Sequence, residues 1–312
     1  MPKGVSKTGV RMTAKRKAMG LSIEDVVRMK EQQQNNETLY SGGNFIQAIK
    51  PVVEEITEES DEEIISSLDE RFSALEEMTL ATAFGINRSL IISGSAGLGK
   101  SFGVEKVLNG LEGSVKVVYI KGYCRSTGLY RAFYENCDSN SVIVLDDVDS
   151  IFNDETSLNI LKAACDSSEV RRINWSSETK MTTEDGEPLP RNFEFNGSVI
   201  FLTNHNFEDM MVKGSKLSPH FEALMSRSLY LDLGLKTNRH YMLRIRQVVK
   251  QCKMLRDTIN ETQEDILLSW IDTNKNTVRD LSLRTAKKAA ILMSTNPDKW
   301  EKLARMTLCK NV

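Results

Sequence analysis

From about residue 80 the chain alternates short, unbroken apolar runs with stretches of helical spacing: Leu90-Ile91-Ile92, Val117-Val118-Tyr119-Ile120, Val142-Ile143-Val144-Leu145, Val199-Ile200-Phe201-Leu202 and Leu229-Tyr230-Leu231. A run that is apolar at every position, rather than at every second one, predicts a strand covered on both faces, as in a parallel sheet between helix layers. Such strands alternating with helices predict the α/β class and a three-layer αβα sandwich around a five-stranded parallel sheet. After about residue 236 the strand signals stop. Helical patterns continue through Tyr241-Met242-Leu243, Ile266-Leu267-Leu268 and Ala286 to Met293, predicting a small all-helical C-terminal domain. Upstream, Ile56, Ile64, Ile65 and Leu68 recur at roughly helical spacing within the acidic segment Glu54 to Glu70, which predicts an amphipathic helix with a solvated acidic face.

The pattern divides the chain into an N-terminal arm (1–40), an N-terminal helical segment (41–79), an α/β domain (80–235) and a C-terminal helical lid (236–312). The arm is basic, with Lys3, Lys7, Arg11, Lys15, Arg16 and Lys17, and runs into the polar stretch Glu31 to Asn36. Two readings stand for it, a phosphate-binding arm and a solvated terminus. Over the whole chain 41 basic residues nearly cancel 43 acidic ones, so net charge favours neither a nucleic acid nor a membrane as partner. The five cysteines are dispersed, with no CxxC pair, which argues against a zinc site or a disulfide framework and for a reducing, cytoplasmic setting. Basic residues near the N-terminus are followed by no apolar h-region, and no apolar run reaches the length of a spanning helix, so neither a signal peptide nor a membrane segment is expected.

The chemistry is concentrated after the first apolar run. Gly94-Ser95-Ala96-Gly97-Leu98-Gly99-Lys100-Ser101 fits GxxxxGK[ST], a phosphate-binding loop in the strand-then-helix setting that the motif requires. Its glycines let backbone N–H groups curl toward phosphate oxygens, and the following helix, with Phe102 in its first turn, adds the positive end of its dipole. Lys100 is expected to reach the β- and γ-phosphates of ATP, and the Ser101 hydroxyl to ligate Mg²⁺. The run Val142 to Leu145 ends in Asp146-Asp147. Asp146 is the candidate for holding Mg²⁺ and Asp147 for orienting or deprotonating the attacking water, while Asp149 is expected to cap the next helix.

In this order the motifs resemble those of the AAA+ branch of P-loop ATPases over about residues 80 to 300. The resemblance implies that Asn204, in Phe201-Leu202-Thr203-Asn204, is the sensor that positions the lytic water. It further implies that Arg227, ending Phe221-Glu222-Ala223-Leu224-Met225-Ser226-Arg227, is an arginine finger reaching the γ-phosphate of a neighbouring subunit. Arg284, in Leu281-Ser282-Leu283-Arg284, is similar to the second sensor in the lid, with Arg279 competing for that role. The family's usual second Walker element ends in Asp-Glu, and the Asp146-Asp147 doublet of this chain is also what several superfamily 3 viral helicases carry. A narrower likeness, around Gly128-Leu129-Tyr130, is to AAA+ ATPases of tailed bacteriophages, which would place the chain in the host cytoplasm.

Between the second Walker element and the sensor strand, Asp166 to Asn196 reads as a β-hairpin with an Asp185-Gly186 tip. Its location matches the hairpin that enters the central pore in helicase-type members of the family. Arg171, Arg172, Lys180, Arg191 and Trp175 suit phosphate contact and base stacking there; subunit packing is the other reading. Tyr123 and Tyr130 occupy the place of the first pore loop. The resemblance thus implies a homo-oligomeric, hexameric ring with ATP and Mg²⁺ at subunit interfaces, working on DNA as a helicase, translocase or replication- or packaging-associated motor. A protein-remodelling ATPase, or an ATP-dependent binding switch, is the alternative.

Overall fold

The computed structural model describes residues 59–310 apart from 178, 179, 184, 213 and 215. The basic arm, the polar stretch after it and the Glu54–Glu58 start of the acidic segment lie outside the described residues. The first helix, α1 (Asp61–Ala83), opens on a capping box in which Ser60 and Glu63 satisfy each other's backbone N–H groups. It then buries Ile64, Leu68, Leu75, Thr79 and Ala83 along one stripe, so the helix continues well past the acidic segment.

The elements that follow are β1 (Ser89–Ser93), α2 (Lys100–Asn109), β2 (Lys116–Lys121), α3 (Ser126–Glu135), β3 (Ser141–Asp146), a short 3₁₀ turn (Asp149–Asn153) and α4 (Glu155–Ala164). After them come a hairpin of β4 (Arg172–Asn174) and β5 (Asn192–Glu194), then β6 (Ser198–Thr203), α5 (Phe207–Val212), α6 (Ser218–Arg227) and β7 (Leu229–Asp232). Five strands form one all-parallel sheet in the order β2-β3-β6-β1-β7. The five apolar runs of the sequence are these five strands, and β1, β3 and β6 are buried at every position.

Alternate residues of each central strand feed opposite layers, as the pleat requires. Ile91, Ile143, Leu145, Val199 and Phe201 pack with Leu129, Phe133, Leu158, Phe221 and Leu224 of α3, α4 and α6. Leu90, Ile92, Val142, Val144, Ile200 and Leu202 pack with Leu75 of α1 and Val104 and Leu108 of α2. A separate core joins the C-terminal helices α7 (Asn238–Gln251), α8 (Glu261–Asn274), α9 (Leu283–Thr295) and α10 (Trp300–Leu308) through Ile245, Leu267, Ile271, Ala286 and Trp300. Among the described residues no helix is long and apolar enough to cross a membrane.

The hairpin is where the sequence places it, but two of its candidate contact residues serve the fold. Arg171 is buried; its guanidinium donates to the carbonyls of Ala164 (2.7 Å) and Gly197 (2.8 Å) and lies over Phe195. Trp175 packs on Tyr130 at 5.5 Å between ring centroids. Tyr130 is itself fully buried, with its hydroxyl donating to the Pro190 carbonyl, and so is no pore-loop grip. The aromatic pair is spent where the hairpin lies against α3, and Arg171 where its base passes the end of α4 and the start of β6. Arg172, Lys180, Arg191 and Tyr123 remain exposed.

Candidate nucleotide-binding site

Strand order places the site. Because β6 lies between β3 and β1, with Ser93 beside Thr203 and Asp146 beside Leu202, the loops that follow all three strands leave the same carboxyl edge. The first is the glycine-rich loop, in which Gly94, Gly97 and Gly99 have φ of 147°, 75° and 100°. These values are open to glycine and strained for side-chain-bearing residues, and they turn the main chain around the start of α2. Ser95 accepts a hydrogen bond from the Tyr241 hydroxyl at 2.6 Å. Ala96, Gly97, Gly99, Lys100, Ser101 and Phe102 line a cleft of about 740 Å³, whereas Leu98 is buried away from solvent.

Lys100 is buried, and its ammonium donates to the carbonyls of Gly94 and Ser95 and to Oδ1 of Asn204 at 3.0 Å. Asn204 in turn donates from Nδ2 to Oδ1 of Asp147 at 2.9 Å. Lys100 can only donate and an ionised Asp147 can only accept, so these two partners fix the orientation of the Asn204 amide. Asp147 has a left-handed φ of 53°, and its N–H donates to the Leu202 carbonyl, which pins the carboxylate beside the sensor strand. Ser101 Oγ donates to Oδ1 of the buried Asp146 at 3.1 Å. Asp149 accepts from the Thr203 hydroxyl at 3.0 Å and thereby ties β3 to β6; the helix cap expected of it falls to Asp154, which accepts from the backbone N–H groups of Thr156 and Ser157.

Arg284 lines the same cleft from the start of α9, whereas Arg279 is spent on the Cys309 carbonyl at 2.9 Å. Arg227 stands elsewhere. Its carbonyl accepts from Ser89 Oγ at the amino end of β1, and its guanidinium donates to the Ala223 carbonyl and lies 4.0 Å from Asp166. The glycine-rich loop leaves the opposite end of that strand, about 13 Å away at the usual rise per residue.

Two residues of the site carry no sequence signal of their own. Lys121 Nζ lies 3.3 Å from Asp146 Oδ2 and 2.7 Å from Glu105 Oε1. Only the β2–β3 register, which sets Lys121 beside Asp146, reveals it. Arg244 reaches the cleft from α7, a helix whose pattern by itself shows only an amphipathic face.

Burial pushes the Lys100 ammonium down to about 8, with the nearby Arg284 charge adding to the fall and Asp147 opposing it. A lysine with a lowered folded value is protonated at a cost, so this contribution destabilises the empty protein below pH 8 and is relieved as pH rises toward 10.5. A bound polyphosphate favours the charged form and works in the opposite sense. Affinity for ATP is therefore expected to weaken above about pH 8 by up to tenfold per pH unit, with proton uptake on binding. Calorimetric titrations in buffers of differing ionisation enthalpy check this, and a flat profile between about pH 7.5 and 9.5 would show that the Lys100 charge does not face the ligand.

No family model matches the chain. It is 38% identical over 255 residues to the uncharacterized 36.7 kDa protein from the nrdC–mobD intergenic region of Enterobacteria phage T4, covering 81% of this chain and 77% of that one. Among solved structures it is similar to domain III of the Thermotoga maritima replication initiation protein DnaA, at TM-score 0.46 and 15% identity, over 77% of this chain and 92% of that one. It is also similar to a point variant of Thermotoga maritima RuvB, at TM-score 0.44 and 13% identity, over 79% of this chain and 71% of that one.

Proposed function

We propose that this chain, which belongs to one family with the phage T4 36.7 kDa protein and has the AAA+ P-loop ATPase fold, binds ATP with Mg²⁺ and hydrolyses it in an assembly of identical copies. The observation that carries this reading is the unbroken chain Lys100–Asn204–Asp147 beside Ser101–Asp146, at the edge where the glycine-rich loop opens. Lys100 and the loop N–H groups hold the phosphates. Asp147, aimed by Asn204, orients the attacking water and accepts its proton. Asp147 is one methylene shorter than the Glu usual at this position, which sets the water differently or slows turnover.

A hydroxyl and one buried carboxylate 3.1 Å apart suit Mg²⁺, a hard cation that keeps water and substrate oxygens for its other positions. Ser101 and Asp146 would hold Mg²⁺, which would supply neutralisation of phosphate charge. Lys121 pairs with Oδ2 of Asp146, whereas Oδ1 is the oxygen beside the Ser101 hydroxyl. Arg284 meets the γ-phosphate from the lid. Arg227, standing at the far end of β1 from the glycine-rich loop of its own copy, supplies an arginine finger to the site of a neighbouring copy in a hexameric ring.

The work coupled to hydrolysis is movement or remodelling of DNA. Exposed Arg172, Lys180 and Arg191 on the hairpin support this reading, though Arg172 is paired with Glu194 at 2.9 Å. An exposed Tyr123, stacked loosely with Arg125 in the loop after β2, supports the second reading, a grip on a protein chain. Steady-state hydrolysis of MgATP, alone and with single-stranded DNA, duplex DNA or RNA at low and moderate salt, tests both levels. Stimulation by DNA that is lost on replacing Arg172 and Arg191 is expected. Turnover indifferent to every nucleic acid would overturn the DNA reading, and no turnover under any condition the ATPase reading.

A further inference from the structure

The cleft contains a cation that the motifs do not account for. Arg244, on α7, lays its guanidinium on the Phe72 ring of α1, 3.4 Å from the ring centroid. Its Nη1 donates to Gln247 Oε1 at 2.8 Å, and the Gln247 amide donates to Asp69 on α1. The guanidinium is thus held in a fixed plane by a stack on one side and an amide at one corner. The remaining groups are less settled. The Nε–H is buried with no hydrogen-bond partner, and Nη2 lies 4.0 Å from where a Cβ on Gly99 would stand, against the glycine-rich loop.

Among the described residues no carboxylate lies within ion-pair distance of Arg244, and Asp69 is reached only through Gln247. A buried N–H without an acceptor is costly unless something fills the position. The carboxylates of Asp69, Glu76, Asp147 and Asp257 also line the cleft, but six basic residues outnumber them, Lys100, Arg284 and Lys287 among them. A ligand that satisfies all of these groups carries several negative oxygens, and a guanidinium fork fits such oxygens better than a point charge does.

Resting on the nucleotide-binding reading above, we infer that Arg244 is a further polyphosphate ligand, delivered through its guanidinium fork from the first C-terminal helix. Burial pushes Arg244 down to about 10, which leaves it cationic at neutral pH. Because the same side chain is braced on α1 through Phe72 and Asp69, its engagement by phosphate ties α7, α1 and the glycine-rich loop together across the cleft. The sequence shows this residue only as one of several basic positions on an amphipathic helix.

The test is equilibrium binding of a fluorescent ATP analogue to the full chain, with ATP and inorganic tripolyphosphate as competitors, for the parent and Arg244→Gln. The variant is expected to lose about tenfold in affinity for both competitors, the worth of one charge-assisted contact. Phe72→Leu, which removes the stack and keeps the charge, should lose less. Unchanged affinity for both, or loss for ATP with tripolyphosphate unaffected, would overturn the inference; the latter would make Arg244 a contact for the base. If the parent bound neither ligand, the nucleotide-binding reading itself would fall. Should Arg244→Gln not fold, Arg244→Lys carries the test, since it keeps the charge and loses the fork, and parent-like affinity for both ligands would overturn the claim.

Discussion

Arg227→Ala is expected to bind ATP as the parent does and to hydrolyse it about a thousandfold more slowly, the lower end of what an arginine finger supplies. The geometry separates the two effects. The Arg227 backbone is tied to Ser89, at the amino end of β1, and its side chain to Ala223, while Lys100 and Asp147 stand beyond the carboxyl ends of β1 and β3. Within one copy the guanidinium contributes nothing to the phosphate site, and its removal leaves ATP affinity intact. Between copies it has only a carbonyl and a distant carboxylate to release before it turns outward. Mixing Arg227→Ala with Lys100→Ala protein is therefore expected to restore part of the activity, because each chain carries what the other lacks. Parent-like turnover by Arg227→Ala, or no rescue under assembling conditions, would remove Arg227 from the mechanism.

Lys100→Ala is expected to abolish turnover and to weaken ATP binding by at least about a hundredfold, measured by equilibrium titration, since a buried charge-assisted contact to two phosphate groups is lost. The loss extends beyond the phosphates. Lys100 also holds Asn204, and without it the Asn204 Oδ1 loses its donor and the amide is held by Asp147 alone. Unfolding is not the cause to expect, because burial already disfavours the Lys100 charge in the empty protein. A thermal melt checks that the variant is folded, since the change also removes the three hydrogen bonds that Lys100 donates. Retained turnover would place the nucleotide elsewhere in the molecule.

Most of the sheet was legible because strands buried on both faces must be apolar at every position, as β3 is from Val142 to Leu145. The phosphate loop was legible for a related reason: a main chain that curls around an anion needs glycine at fixed places, and φ of 75° and 100° at Gly97 and Gly99 are those places. Tertiary neighbours were less accessible. Nothing in the spacing of Arg171 separates a residue that reaches DNA from one that reaches two carbonyls beneath the hairpin, and the same holds for Tyr130. Asp149 and Asp154 are equally good caps in sequence, and the choice between them was made by Thr203, on a strand far along the chain. Lys121 and Arg244 belong to the site only through strand register and helix docking, which no local pattern encodes.

The sheet and the C-terminal helices have separate cores, and they meet at Gly97, where the Leu283 N–H donates to the Gly97 carbonyl at 3.0 Å and a Cβ would stand 2.7 Å from that of Ser282. Only a hydrogen atom fits between the two bodies at that point. At that point main chain meets main chain with no rotatable side chain between, unlike the contacts that Leu243 and Arg244 of α7 make with α1. A shift of the glycine-rich loop is therefore expected to pass to the head of α9 through the Leu283–Gly97 backbone hydrogen bond, with little lost on the way.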